Sequence, residues 1–226
     1  DDAFRIDMGA LEKAITDDRA AGRKPFCVVA SSGTTNTGAV DPLGALADLC
    51  AREGMWLHVD GAYGACAAFS MRGSAALKVV ERAHSVSFDP HKWLFQPFEI
   101  GGVIVRDARW LHEAFDVSAS YMRDTKGLTR GINFCEYGPQ LTRSLRALKL
   151  WMTFQVFGAD EIARAIEVGF EMAEAAEEMI AARAHWRIIS RASMGIVSFR
   201  AAPDGWSDDE CDGLNAEIAG RVRKDG

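Results

Sequence analysis

Short unbroken apolar runs alternate with amphipathic stretches through the first half of the chain. Residues 26–30, Phe-Cys-Val-Val-Ala, form a continuous apolar run of the kind found in strands buried on both sheet faces. Further strands are expected at residues 55–60, 85–88 and 101–105. Between them the apolar period lengthens to that of a helix. Asp7 can cap a helix over residues 7–21, with Met8, Leu11 and Ile15 on one face and Gly22 ending it. A second helix is expected at residues 43–53, with Leu46, Leu49 and Cys50 inward, and a third at residues 74–83. Strands alternating with helices indicate an α/β fold built on a mainly parallel sheet flanked by helices.

Residues 116–136 are polar and irregular, too long for a simple connector, and read as a functional loop. A long helix over residues 139–157 is expected to follow, with Leu141, Leu145, Leu148 and Met152 on one face. A second long helix at 160–183, strands at 186–190 and 195–200, and a helix from Ser207 have α+β texture. The chain therefore divides into a large unit, residues 1–157, and part of a small α+β C-terminal domain, residues 158–226. No internal repeat or low-complexity tract appears.

A hydrophobic content of 48% with 26% charged residues supplies ample core for a globular chain. The net charge of −6, with no basic patch or basic helix, argues against nucleic acid or an anionic membrane as partner. No apolar run approaches a membrane span, and no signal-peptide pattern opens the chain. Cys27, Cys50, Cys66, Cys135 and Cys211 are scattered and never form a CxxC pair, so reduced thiols in a cytoplasmic protein are expected. The chain opens without methionine on what reads as loop interior and stops just after a helix. A fragment of a longer chain is the expectation.

Three polar residues follow predicted strand ends, where ligands of parallel α/β sheets bind: Thr35, Asp60 and Lys92. Lys92 lies beside His91 and is flanked by Phe88, Trp93, Leu94 and Phe95. Partial desolvation by these neighbours would lower its amine pKa toward the nucleophilic range. An amine and a carboxylate at neighbouring strand ends are what pyridoxal phosphate requires. The amine binds the cofactor covalently, and the carboxylate keeps the ring nitrogen protonated so that the ring accepts electrons. Asp60 has a structural alternative as a buried carboxylate satisfied by backbone donors. His91 could equally be a packed core histidine, a metal ligand, or a contact for phosphate or substrate. A zinc reading of His58, Asp60 and His91 lacks any HxxxH or HExxH spacing, so no metal is expected. The loop from Ser31 to Gly38 is by itself only turn-rich, and Tyr121 by spacing alone is an exposed aromatic.

Thr34-Thr35, His58-Val59-Asp60-Gly61-Ala62-Tyr63 and Asp89-Pro90-His91-Lys92-Trp93 together resemble the group II PLP-dependent decarboxylases, and among them the aromatic-L-amino-acid decarboxylase branch. The likeness runs from Asp1 to about Arg200 with the motifs in family order. It implies the aspartate-aminotransferase-like fold, PLP-dependent transferase fold type I, and a homodimer with active sites at the interface. The implied reaction is decarboxylation of an L-amino acid, aromatic by this likeness, to the amine and carbon dioxide. By the same resemblance Lys92 is the covalent cofactor anchor and Asp60 the partner of the pyridine nitrogen. Ala62 would pack on one ring face, Thr35 lie near the ring's polar edge, and His91 near the phosphate and the reacting bond. Tyr121 matches the loop tyrosine that protonates the substrate carbon after carbon dioxide leaves. Related oxidative aldehyde synthases often carry phenylalanine there. Where animal relatives often place Asn before Pro-His-Lys, this chain has Asp89, which implies a phosphate contact through its backbone. The family's phosphate-binding loop and ring-stacking histidine would lie upstream of Asp1. Other fold type I enzymes (aminotransferases, carbon–carbon lyases, aromatic aldehyde synthases) and a non-catalytic relative are the competing readings.

Overall fold

The computed structural model describes residues 1–116 and 132–225. Its first unit begins with α1 (Met8–Ala20), capped by the Asp7 carboxylate, which accepts from the Ala10 N–H at 2.8 Å. There follow β1 (Cys27–Ser31), α2 (Leu43–Glu53), β2 (Trp56–Gly61), β3 (Ser85–Phe88) and β4 (Gly102–Val105). The four strands lie side by side in chain order, β1, β2 and β3 parallel and β4 antiparallel to β3. The sheet is thus mainly parallel and flanked by helices, as the apolar periodicity indicates.

One face of this sheet is dry. Val28 and Ala30 of β1 and Leu57 and Val59 of β2 point the same way and pack with Ile15 of α1 and Leu46, Leu49 and Cys50 of α2. Alternation sends the intervening residues to the other face. That face is more open than the unbroken apolar run of β1 suggests: Val29 is 58% exposed, because no described element packs over it. Its centre is polar, with His58 and Asp60 of β2 opposite Ser85 and Ser87 of β3.

Between β2 and β3 the expected helix over 74–83 is replaced by shorter pieces. These are a 3-10 turn at Gly64–Phe69, α3 (Met71–Ala76) and a 3-10 turn at Val80–Arg82. Ser70 caps α3 by accepting from the Gly73 N–H, and Val79 takes a left-handed conformation (φ 71°) that no continuous helix accommodates. Two helices that periodicity missed are α4 (Pro90–Trp93), one turn with proline at its start, and α5 (Ala108–Phe115), capped by Asp107.

The long helix expected from residue 139 starts later. In α6 (Ala147–Ala181) the helical path is interrupted at Gly158, whose φ of 78° and ψ of 163° turn the chain. Leu141 and Leu145 precede the helix and are exposed, so the stripe they complete in the sequence does not exist in the fold. The last elements are the antiparallel pair β5 (Trp186–Ser193) and β6 (Ile196–Ala201), and α7 (Asp208–Asp225). Ile162, Ile166 and Phe170 of α6 meet Trp93, Leu94, Cys66 and Met194 in a second core. Among the described residues no helix is long and apolar enough to cross a membrane.

Candidate active site

The carboxyl ends of β1, β2 and β3 lie together, and each delivers one of the expected groups. The loop after β1 is folded by Thr34, whose hydroxyl accepts from the Ala39 N–H at 3.1 Å and pairs with the Thr37 hydroxyl at 2.7 Å. Thr35, next along, is exposed. The loops after β1 and β2 touch backbone to backbone at Gly64, where a side-chain Cβ would fall 1.8 Å from the Ser32 carbonyl oxygen. Only glycine permits that approach.

Asp60 ends β2 with its carboxylate exposed. Its Oδ1 accepts from the Ala62 N–H at 3.0 Å and from the Ser87 hydroxyl at 3.2 Å. Its Oδ2 has no hydrogen-bond donor and no cation among the described residues. A buried carboxylate saturated by backbone donors was the structural alternative; an exposed one with a vacant oxygen is a different object. Ala62, expected against a ring face, contributes its backbone N–H to this arrangement as well.

Lys92 sits on α4, directly beyond β3. The turn forms because Pro90 pre-sets the helical φ and the Lys92 N–H donates to the Asp89 carbonyl at 3.0 Å. The expected apolar surround of the amine is not found. Trp93 and Leu94 turn into the core, Phe95 is 57% exposed, and the Lys92 Nζ lies 2.9 Å from Asp89 Oδ2. The cause is geometric: on one helical turn, successive side chains cannot all wall in one amine, whereas residues three apart meet. Asp89 therefore acts through its carboxylate here, which also lies 3.9 Å from His91 Nε2.

His91 is oriented by its other nitrogen, since Nδ1 lies 2.5 Å from the Ile100 carbonyl oxygen. A carbonyl can only accept, so Nδ1 carries the proton; in the neutral ring Nε2 is then the free acceptor. The ring also meets Phe98 edge-on at 5.4 Å. His58, considered for zinc, instead faces the Ser85 hydroxyl at 2.7 Å, which also accepts from the Trp56 indole N–H at 2.9 Å. Cys66, beneath the turn, is inert: burial pushes its thiol up to about 12, the Asp89 carboxylate adding to the effect and Lys92 opposing it. Tyr121 lies outside the described residues.

Sequence reasoning did not single out Ser87 or the Ile100 carbonyl. Ser87 had a signal, being two residues from Ser85 on the same face of β3 and in register with Asp60. The Ile100 carbonyl had none. An accessible amine, a carboxylate with a vacant oxygen, a hydroxyl and an oriented imidazole at adjacent strand ends fit pyridoxal phosphate. The amine suits its aldehyde carbon, and Asp60 Oδ2 suits a protonated ring nitrogen.

Comparison with known proteins gives the family and the fold. The family model described as pyridoxal-dependent decarboxylase conserved domain matches residues 1–202. The aromatic-L-amino-acid decarboxylase of Bacillus atrophaeus is 45% identical over 204 residues, covering 90% of this chain and 42% of that protein. The histidine decarboxylase of Homo sapiens is 34% identical, covering 88% of this chain and 30% of the relative. Among solved structures, Oryza sativa TDC with PLP and tryptamine superimposes with a TM-score of 0.91 at 29% identity, covering 98% of this chain and 46% of that one. The chain thus spans less than half the length of these relatives. The fold is that of the PLP-dependent decarboxylases, fold type I.

Proposed function

This chain belongs to the pyridoxal-dependent decarboxylase family, and from that membership we propose that the protein containing it is a carboxy-lyase acting on an aromatic L-amino acid. The products are the amine and carbon dioxide. The observation that carries this reading is the placement of Lys92 and Asp60 at the ends of neighbouring strands, with the Asp60 carboxylate held at one oxygen by Ala62 and Ser87. The 45% identity to an aromatic-L-amino-acid decarboxylase supports the aromatic substrate class.

Bound pyridoxal phosphate supplies the electron sink for the pair left when the carboxylate departs. The chain's own residues do the rest. Lys92 would hold the cofactor through its amine. Asp60 Oδ2 holds the proton on the ring nitrogen. Thr35 and Ala62 would help hold the ring. His91, its Nδ1–H committed to Ile100, offers Nε2 toward the reacting end of the site, and Tyr121 returns a proton to the substrate carbon.

We further propose a cytoplasmic homodimer with the active site at the interface, residues 1–157 belonging to the large domain and 158–226 to the small one. Supporting a protein-covered face, Trp151, Met152, Val156 and Phe157 at the start of α6 are between 51% and 71% exposed, and Phe98 beside them is 81% exposed. Such a contiguous apolar surface is unusual on a monomer.

Borohydride reduction of the full-length holoenzyme followed by peptide mapping tests the assignment. The pyridoxyl mass belongs on Lys92, and aromatic L-amino acids should release carbon dioxide and amine. A label on another lysine, or a keto acid as product, overturns it. Asp60→Ala should retain some cofactor but lose decarboxylation by orders of magnitude.

A further inference from the structure

We propose that Ser87 is a positioning residue that fixes the plane of the Asp60 carboxylate so that its second oxygen is held facing the ring nitrogen; this rests on the role given to Asp60 above. The parallel register places Ser87 directly opposite Asp60 across β2 and β3. Its hydroxyl donates to Oδ1 at 3.2 Å, and the Ala62 N–H donates to the same oxygen at 3.0 Å. Two donors from two directions fix the carboxylate plane. The Ala62 N–H comes from the loop just after the strand, while the Ser87 hydroxyl comes from the neighbouring strand. With Oδ1 occupied, Oδ2 is the oxygen left to meet a charged N–H. If only the backbone donor remained, the carboxylate plane would swing about its terminal torsion, which is broad, and the oxygen facing the ring nitrogen would be held less firmly.

The neighbouring serine shows that this arrangement is particular to Ser87. Ser85 lies two residues back on the same face, but its hydroxyl is engaged by the Trp56 indole N–H and by His58. Two adjacent pairs therefore share the strand without sharing partners: Ser85 with Trp56 and His58, Ser87 with Asp60. A serine has a single proton to give, and at this position the carboxylate receives it.

The test uses full-length holoenzyme reconstituted with pyridoxal phosphate labelled with nitrogen-15 in the ring. Two quantities are read: the ring-nitrogen chemical shift as a function of pH, and the cofactor dissociation constant by equilibrium dialysis. Ser87→Ala should move the nitrogen signal toward the unprotonated position at neutral pH and weaken cofactor binding about three- to tenfold, the size of one ordinary hydrogen bond. Ser87→Thr keeps the hydroxyl on a strand that tolerates β-branching and should restore both readouts. Ser85→Ala should leave the nitrogen signal unchanged. A parental nitrogen signal in Ser87→Ala, while Asp60→Ala shifts it, overturns the proposal and leaves Asp60's role standing. A shift in Ser87→Ala that Ser87→Thr does not reverse, or an equal shift in Ser85→Ala, also overturns it, because either means a packing effect. A parental signal in Asp60→Ala refutes the role of Asp60 itself.

Discussion

Trp93 follows the anchoring lysine, and its removal should damage both stability and cofactor binding. The indole is 7% exposed and wedged into the second core among Phe170, Met194 and Leu94. It stacks on Tyr63 with centroids 5.0 Å apart and planes 17° apart, and lies against Phe170 at 5.3 Å. Its slot is shaped for it: a Cβ on Gly195 would come within 2.8 Å of the indole and one on Gly169 within 3.4 Å. Truncating a buried aromatic side chain to alanine costs about 3–5 kcal/mol, and losing two ring contacts puts Trp93→Ala in the upper half of that range. At a urea slope of roughly 2–3 kcal/mol/M, a loss of about 4 kcal/mol lowers the midpoint by roughly 1.3–2 M. Urea unfolding of the full-length apoenzyme by far-UV circular dichroism measures this without the stabilisation that bound cofactor adds. Because Trp93 pins the single turn that carries Lys92, cofactor affinity should fall as well, and Trp93→Phe should recover part of both losses. A midpoint within about 0.3 M of the parent would refute the wedge. A large midpoint shift with parental affinity would refute the link between wedge and turn.

Cys66, its thiol pushed up to about 12 chiefly by burial, should resist iodoacetamide at pH 8 in the folded protein and react once urea unfolds it; rapid labelling of native protein would contradict this. His84 is held below its ordinary value first by burial and then by Arg106, and its Nδ1 accepts the Leu57 N–H at 2.9 Å. With the folded value below the unfolded one, its stabilising contribution is full above about pH 6.5 and is lost as pH falls toward the folded value. NMR titration should therefore give His84 a midpoint below 6.5, and a midpoint at or above it would show the ring is not shielded. Tyr121→Phe in the full-length enzyme should divert product from amine toward aldehyde, ammonia and peroxide; amine at the parental rate without oxygen uptake would remove Tyr121 as proton donor.

The strands were legible because a short apolar run between turn residues has few other fates, and the order Thr35, Asp60, Lys92 placed the chemistry at their carboxyl ends. Legibility failed where tertiary contact overrides periodicity. Residues 74–83 have enough apolar positions for a helix, yet Leu77 finds the second core only through a chain path that breaks at Val79. Leu141 and Leu145 continue the apolar stripe of α6 in sequence, but a single turn, Leu148 N–H to the Leu145 carbonyl, leads into the helix, and both leucines stay exposed. Ser87 was not singled out: its spacing from Ser85 puts it on the polar face of β3, and the register opposite Asp60 then reveals its use.

The supports under the two central groups differ as their tasks do. Asp60 stands on a strand, paired on both sides through β1 and β3, and its carboxylate is further tied by two donors. A group that must hold one proton on one ring atom gains from such rigidity, since any rotation weakens the interaction it exists to make. Lys92 stands on a single helical turn, and its amine rests on Asp89. In the role proposed for it, it would hold the cofactor through its amine. A flexible four-carbon stem suits that role, and a partly exposed ion pair of modest strength gives the free amine a partner without trapping it. The apolar surround anticipated from the sequence would have favoured a neutral amine but given it no such resting partner. Asp89 supplies one, three residues away on the same turn.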